Sequence, residues 1–505
     1  MTPVAGISPV SDAILRDPSE FAKTRYDLIA IGGGIYGAMA ALEGVRRGLS
    51  VLLIERDDFG AGASHAYLRI LHGGLRYLQS LDLRRHRDSV AERRWFLRHF
   101  PDLARPVECL MPLYGEGLRR PSLFRAAFLL DAWLARDKNR GLAEKSRLAS
   151  GRVISAREVG RRLPDLDPAD LRGGAFWNDG FVPEAPRLFV EILRWACAFG
   201  ARALNHCRVE ELLAENGRTI GVRATDLTDE RRHDFHAPVA VNLTGVEARD
   251  FAKQWDRDKA RLRPGMALGW NLVLDRTPAF SVGAAVAPRR PDGRTYFVLP
   301  WKGRILAGTG QVDLSPGEPL RPPRASENDR MLADLNEALP GLQLEPGDIS
   351  RIFWGGMPTD AAGRLAKRPV FVDHGAEGGP VGFHSVSGIK FTTARQVVSR
   401  LLTRLFPLRR PRAYGGNFSP SPLHGVRGLA IEPRETDEWR KLAEEESALS
   451  LADLAVRRSD LADRMPLAEE TLFSLAGIFP GEASDQIQAL RSLLAEGLPS
   501  GAEME

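Results

Sequence analysis

Residues 32–37, Gly32-Gly33-Gly34-Ile35-Tyr36-Gly37, carry the spacing of a loop that cradles a pyrophosphate. Gly32 allows a tight turn off a strand, Gly34 lets the backbone approach phosphate oxygens, and Gly37 lets the next helix pack close to the sheet. The N-terminus of that helix faces the phosphates. Glu55 follows Gly32 by 23 residues, at the end of a second apolar run. A carboxylate there accepts ribose hydroxyls and disfavours a 2′-phosphate. FAD and NAD both fit such a loop. One copy, at the start of a chain of 505 residues, favours FAD.

Two side chains could do chemistry beside it. His72 lies in the run Leu71-His72-Gly73-Gly74-Leu75-Arg76-Tyr77-Leu78, and Lys390 lies in Gly388-Ile389-Lys390-Phe391-Thr392-Thr393. Taken alone, His72 reads as a loop histidine satisfied by its neighbours and Lys390 as a solvated cation. Lys390 is, however, one of nine lysines, in a glycine turn before a helix, where backbone N–H groups collect negative charge.

The elements that must position these residues are legible. Tyr26–Ile31 and Ser50–Glu55 read as buried strands around a helix, Ala38–Arg47, capped by Gly48: a βαβ unit. Residues 82–99 and 121–136 have helical periodicity. Residues 264–275, 294–300 and 304–308 read as strands of a separate antiparallel sheet. Residues 381–405 read strand, glycine turn, helix; 407–423 has linker composition; 435–496 is helical, and the last five residues are expected to fray. The expected fold is α/β, α+β overall: a Rossmann-like FAD-binding domain (24–90, 150–258 and 351–408), an antiparallel-sheet substrate domain (91–149 and 259–350), and a linker with a helical C-terminal domain (409–505).

These motifs resemble the FAD-dependent glycerol-3-phosphate dehydrogenase family, in the D-amino-acid oxidase-like flavoprotein group. Residues 27–38 (DLIAIGGGIYGA) and the HGGLRYL run match it. So do Val241-Asn242-Leu243-Thr244-Gly245, residues 388–393, and residues 451–458, which end in a double arginine. The resemblance covers about residues 25–480. It implies that the HGGLRYL run and the Lys390 turn meet the flavin ring system, where a cation stabilises the anionic reduced flavin. The expected contacts to non-covalent FAD are Gly32, Gly34, Ile35, Tyr36, Gly37, Glu55, Arg56, Ser64, His72, Gly73, Gly74, Val209, Thr244, Gly245, Gly388, Lys390, Phe391 and Thr392. The expected catalytic residues are His72, His384, Lys390 and Arg76, with no metal.

The substrate side departs from the family. A histidine of its G-S-H segment becomes Asn271, the carboxylate of G-T-T-D becomes Gln311, and the arginine of G-V-R-P becomes Met357; S-S-K before I-H-G-G becomes Tyr67-Leu68-Arg69. An amide cannot act as a base. Either Arg69 or a nearby arginine replaces the lost cation and a polyol phosphate remains the substrate, or the pocket is rebuilt for another molecule. The expected reaction is oxidation of a CH–OH group by hydride transfer to flavin N5. The alternatives are a CH–NH oxidase or dehydrogenase and a non-catalytic flavoprotein. Quinone and oxygen are the candidate electron acceptors.

Composition excludes other classes. With 43% hydrophobic and 27% charged residues, the chain is neither collagenous nor disordered. Three scattered cysteines make neither a disulfide scaffold nor a C-x-x-C site. The net charge of +5 comes with 61 arginines interspersed with acids, which does not suggest a nucleic-acid partner. The chain has no secretory signal or spanning segment, so a cytoplasmic protein is expected, with a homodimer left open. Residues 121–136 (PSLFRAAFLLDAWLAR), with basic residues at the ends, describe either a core or dimer helix or one lying at the inner face of a membrane.

Overall fold

A computed structural model describes residues 13–117, 119–253, 265–290, 292–315, 317–360, 364–388, 390–413, 436–464 and 467–498. Most of the expected linker and the expected fraying end lie outside these residues.

Short, wholly apolar runs make the strands of the first sheet, because a sheet covered on both faces has no solvent side to pattern. Its order is Val370–Asp373, Phe383–Ser387, Ala240–Asn242, Leu28–Ile31, Val51–Ile54, Arg202–Leu204. All neighbours pair in parallel except the first two. Helices Ile35–Val45, Ala185–Ala198 and Ala394–Leu405 cover one face through Met39, Leu42, Leu188 and Val398. The other face packs Ile29, Ile31 and Leu52 against Leu212, Val222 and Phe235 of a three-stranded antiparallel sheet.

A second, nine-stranded sheet contains Met266–Leu274, Tyr296–Trp301 and Arg304–Asp313, as expected from sequence. It also takes in Ile70–Leu71, Arg152–Ile154, Gly173–Phe181 and Ile349–Pro358. The expected partition gives those strands to the nucleotide domain (all of Ile349–Pro358 except its first two residues), so its boundaries at 90, 150 and 351 are corrected. The cause is pairing: Gly173–Phe181 runs antiparallel to Arg105–Leu113 along nine residues, and the sheet absorbs it. Leu268, Trp270, Leu272 and Leu274 pack with Met331, Leu332 and Leu335 of helix Ala325–Ala338. On the opposite face, Val273, Leu306 and Phe353 pack with Ile70 and Phe181.

The C-terminal helices Thr436–Glu445, Glu469–Ala476 and Ala483–Ala495 close around Trp439, Leu451, Leu454, Leu475 and Leu490. Charges fasten this bundle to the rest. The fully buried Arg458 donates through two nitrogens to Asp58 at 2.6 and 2.7 Å and through Nε to the Glu446 carbonyl. Arg187 donates to both Glu446 and Glu191. His206 Nε2 lies 2.9 Å from Asp453. Asp58, His206 and Asp453 could between them hold a metal ion, yet guanidinium groups already supply the positive charge at Asp58. Each member of so buried a network needs its partner, since an uncompensated charge in the interior is costly.

Candidate active site

The strand Leu28–Ile31 delivers Gly32 in the left-handed region, with φ of +103°. A Cβ there would lie 2.9 Å from the Leu243 carbonyl, one on Gly33 2.6 Å from the Glu55 side chain, and one on Gly37 2.0 Å from the Gly32 oxygen. Gly34 caps the following helix with no side-chain cap of its own. Ser64 lies against it, its Oγ accepting from the Ile35 N–H at 2.9 Å. Glu55 accepts from the N–H groups of Gly33 at 2.5 Å and Asp57 at 2.9 Å. Burial pushes its carboxyl up, against those two bonds. Arg56 is half-exposed and pairs with Glu247 and Asp57. The strand bearing Val209 is tied in where Cys207 N–H donates to the Glu55 carbonyl at 2.8 Å. Asn242 Oδ1 accepts from Thr244 Oγ1 at 2.7 Å and orients the turn into Gly245, whose φ is +68°. A glycine cradle, helix-start N–H groups and a buried carboxylate at the next strand end suit a dinucleotide with an unsubstituted ribose.

A second cluster forms where Gly388 and Lys390 meet this helix. Tyr36 Oη donates to the Lys390 carbonyl at 3.2 Å, and a Cβ on Gly388 would fall 1.9 Å from the Tyr36 ring. Lys390 Nζ donates to Tyr77 Oη and lies 4.6 Å from the Tyr77 ring centroid, on its hydroxyl side. Tyr77 and the exposed Arg76 belong to the 3₁₀ segment Leu75–Ser80, which follows His72, Gly73 and Gly74 directly. The turn needs Gly74, with φ of +86°. The His72 side chain is 45% exposed, its ring 5.0 Å from that of Phe297. Phe391 and Thr392 are buried; the Phe391 ring stacks on Tyr67 at 4.1 Å, so it belongs to the core and leaves only backbone for a cofactor.

His384 is not brought to this cluster. It is buried within its strand, 3.7 Å from Asp373, and burial pushes its imidazole pKa down, with the Asp373 charge opposing and the Arg404 charge adding to the fall. Arg404 is in the last turn of the helix whose first turn follows Lys390, so His384 lies toward the other end of that helix. Its imidazole faces Asp373 there rather than Lys390 or Tyr77. The strand directs its C-terminal end, at Ser387 and Gly388, to the site.

The substrate-side departures are each satisfied within the protein. Asn271, buried, donates to the Ala66 carbonyl at 2.6 Å and accepts from Thr309 Oγ1 at 2.9 Å. Gln311 accepts from Arg294 at 3.1 Å. The Met357 side chain lies across Gly269, where a Cβ would stand 2.5 Å from its methyl carbon. Arg69 does not replace the lost cation: it is 1% exposed, donates to the His65 and Tyr67 carbonyls, and packs 4.6 Å over Phe353. The exposed cations at the cluster are Lys390 and Arg76. Sequence reasoning missed Asp179, which lies under His72. An acid inside the apolar strand Gly173–Phe181 was the available signal, since such a charge needs a built-in partner.

The family of FAD dependent oxidoreductases known as DAO matches residues 27–394. A glycerol-3-phosphate dehydrogenase of Synechocystis sp. is 31% identical over 433 residues, 83% of this chain and 76% of that protein. An alpha-glycerophosphate oxidase of Streptococcus pyogenes is 33% identical over 346 residues, 67% of this chain and 55% of that one. Among solved structures, glycerol-3-phosphate dehydrogenase from Bacillus halodurans complexed with FAD shares the fold. Its TM-score is 0.68 at 20% identity, covering 97% of this chain and 98% of that one.

Proposed function

Since the chain belongs to the DAO family of FAD-dependent oxidoreductases, we propose that it oxidises a CH–OH group, with His72 accepting the hydroxyl proton and Lys390 supplying positive charge. The observation that carries this reading is Lys390 bonded to Tyr77 and Tyr36 beside the helix of the glycine loop, with Tyr77 in the segment that follows the His72 turn in the chain. The cradle of Gly32, Gly34 and Gly37 would hold the pyrophosphate of FAD and Glu55 its ribose. When bound, FAD supplies the acceptor for the hydride that leaves carbon as an alcohol becomes a carbonyl. The chain's own groups do the rest. His72 presents an imidazole to the reacting hydroxyl, and an imidazole is the side chain best suited to hold a proton near neutral pH. Lys390, held by the Tyr77 hydroxyl, places a cation where negative charge develops.

The substrate is less strongly gripped at an anionic end than a glycerol phosphate is by the wider family, because Asn271, Gln311 and Met357 stand where imidazole, carboxylate and guanidinium groups are expected. Lys390 and Arg76 remain to receive any phosphate. An anaerobic screen of flavin bleaching over polyol phosphates, hydroxy acids and amines tests the reading. Bleaching by compounds with a CH–OH group is expected, slowed on the order of 10²-fold or more in His72→Asn. Bleaching by amines alone, or by nothing in the panel, refutes it.

Peripheral binding to an anionic bilayer surface accompanies this reading, with quinone as the electron acceptor there and oxygen the alternative. Helix Pro121–Leu134 buries only Phe124 and Phe128. It leaves Leu129 75% and Trp133 64% exposed, with Leu123 and Ala126 on the same face by helical spacing. Arg119, Arg120, Arg125, Arg136 and Arg140 lie around this face and its ends. No helix among the described residues is long and apolar enough to cross a membrane.

A further inference from the structure

Asp179 sits in the apolar strand Gly173–Phe181 with its side chain 5% exposed, and four donors converge on it. Oδ1 accepts from the Gly73 N–H at 2.7 Å and from Arg93 Nη1 at 2.5 Å. Oδ2 accepts from Trp177 Nε1 at 3.2 Å and faces His72 Nδ1 at 3.4 Å. Burial pushes this carboxyl up, but the His72 bond and the Arg93 and His72 charges outweigh it and hold the group below the usual carboxylate range, so it is ionised at neutral pH. An ionised carboxylate can only accept, so the facing ring nitrogen must carry hydrogen. Nε2, on the other side of the ring, is then left with its lone pair.

We propose that Asp179 is a positioning residue that fixes His72 as the Nδ1–H tautomer and so makes Nε2 the proton acceptor. The assignment rests on the reading of His72 as the base. Arg93 and the Gly73 N–H anchor the carboxylate from behind, while Gly73 follows His72 in the chain. One carboxylate therefore sets both the backbone turn and the ring. A proton taken from a hydroxyl at Nε2 gives an imidazolium whose other N–H already points at an anion, which lowers the cost of forming it. The charged groups facing this pair are Asp179 itself, from its strand, and Arg93, from helix Leu83–His99.

The test is ¹⁵N NMR of the histidine-labelled, FAD-loaded protein; with ten histidines, the His72 signals are assigned by their loss in His72→Asn. The neutral ring is expected as Nδ1–H, and a wild-type ring protonated at Nε2 overturns the proposal. In Asp179→Asn, Arg93 and the Gly73 N–H hold the amide oxygen in the Oδ1 position, so its NH₂ faces Nδ1. The tautomer should invert. The plateau of kcat/KM should fall on the order of 10²-fold. An unchanged tautomer in a folded, flavin-loaded variant overturns the proposal. If Asp179→Asn does not fold, the wild-type tautomer alone decides. The two readings fail separately. Full activity in His72→Asn removes the assignment of the base, whereas an inactive His72→Asn beside a wild-type-like Asp179→Asn removes only the role of Asp179.

Discussion

Around Gly32 and Gly37 an added methyl group meets backbone, at 2.9 Å and 2.0 Å; around Asn271, Gln311 and Met357 every altered side chain has a partner or a surface to lie on. The two regions face different demands. A pyrophosphate is recognised by main-chain N–H groups, so the sequence there must keep the backbone bare. A substrate is recognised by side chains, which can be exchanged whenever their neighbours still satisfy the newcomer's hydrogen bonds. The first region therefore announces its ligand in the sequence and the second does not.

The largest expected effect breaks the nucleotide side. Gly37→Val forces the helix away from the Gly32 carbonyl and should yield protein without FAD, read as the loss of flavin absorbance per chain. Gly34→Ala, whose new methyl group meets only Ser64 Oγ at 3.1 Å, should still load FAD, with weakened affinity. Equal loading in wild type and Gly37→Val would mean that the cradle is not the cofactor site.

Next comes the charge lock beneath that site. Arg458→Met leaves the buried Asp58 with only the longer contact to Arg457, at a cost of up to about 3–5 kcal/mol, measured by chemical denaturation. The arginine-paired Asp58 carboxyl is held below the usual carboxylate range: burial raises it, and the Arg458 and Arg457 charges more than compensate. A lowered carboxyl contributes stability in full above its unfolded value, about pH 4, and the contribution is lost as pH falls through the lowered value. Wild type should therefore lose stability more steeply in acid than Arg458→Met does.

A smaller effect sharpens the substrate side. Met357→Arg restores a cation where the family resemblance expects one. It should improve binding of glycerol 3-phosphate roughly tenfold, the worth of one charge-assisted hydrogen bond, seen as a fall in KM. No change would place the anionic end of the substrate elsewhere, at Arg76 or Lys390. The smallest effect concerns the exposed helix face. Leu129→Ser with Trp133→Ser should reduce sedimentation with anionic liposomes several-fold at ~0.05 M salt, where screening is weak, without altering bleaching. Wild-type protein remaining in the supernatant at that salt excludes the membrane reading.

The alternation of elements was legible because apolar runs and glycines report local needs. The βαβ unit, helix 82–99, observed as Leu83–His99, and the C-terminal helices all followed from periodicity. Sheet membership did not, because nothing in the composition of Gly173–Phe181 names its sheet and only its partner, Arg105–Leu113, decides where it goes. The site was half legible. His72 and Lys390 sit in glycine-marked turns, and Lys390 is bonded to Tyr77 of the segment that follows the His72 turn. His384 shared their neighbourhood in the sequence, but the strand between it and Gly388 carries it away. Arg69 looked like a replacement cation, and its enclosure by Phe353, Trp301 and Tyr67 is a tertiary fact that no spacing encodes.

The ion pair between Asp58 and Arg458 joins residues 400 positions apart. It also sets an order of events during synthesis. The glycine loop and Glu55 leave the ribosome early, but the strands Val370–Asp373 and Phe383–Ser387 that complete one side of their sheet, and the guanidinium of Arg458 that pairs with Asp58, are made only late. Until then the nascent N-terminal half exposes an unpaired strand edge and a carboxylate meant for the interior. Contacts of such long range make folding slow and leave incomplete chains open to aggregation. Completion of the nucleotide site thus serves as a late checkpoint: a chain broken before residue 458 lacks the charge that seals it.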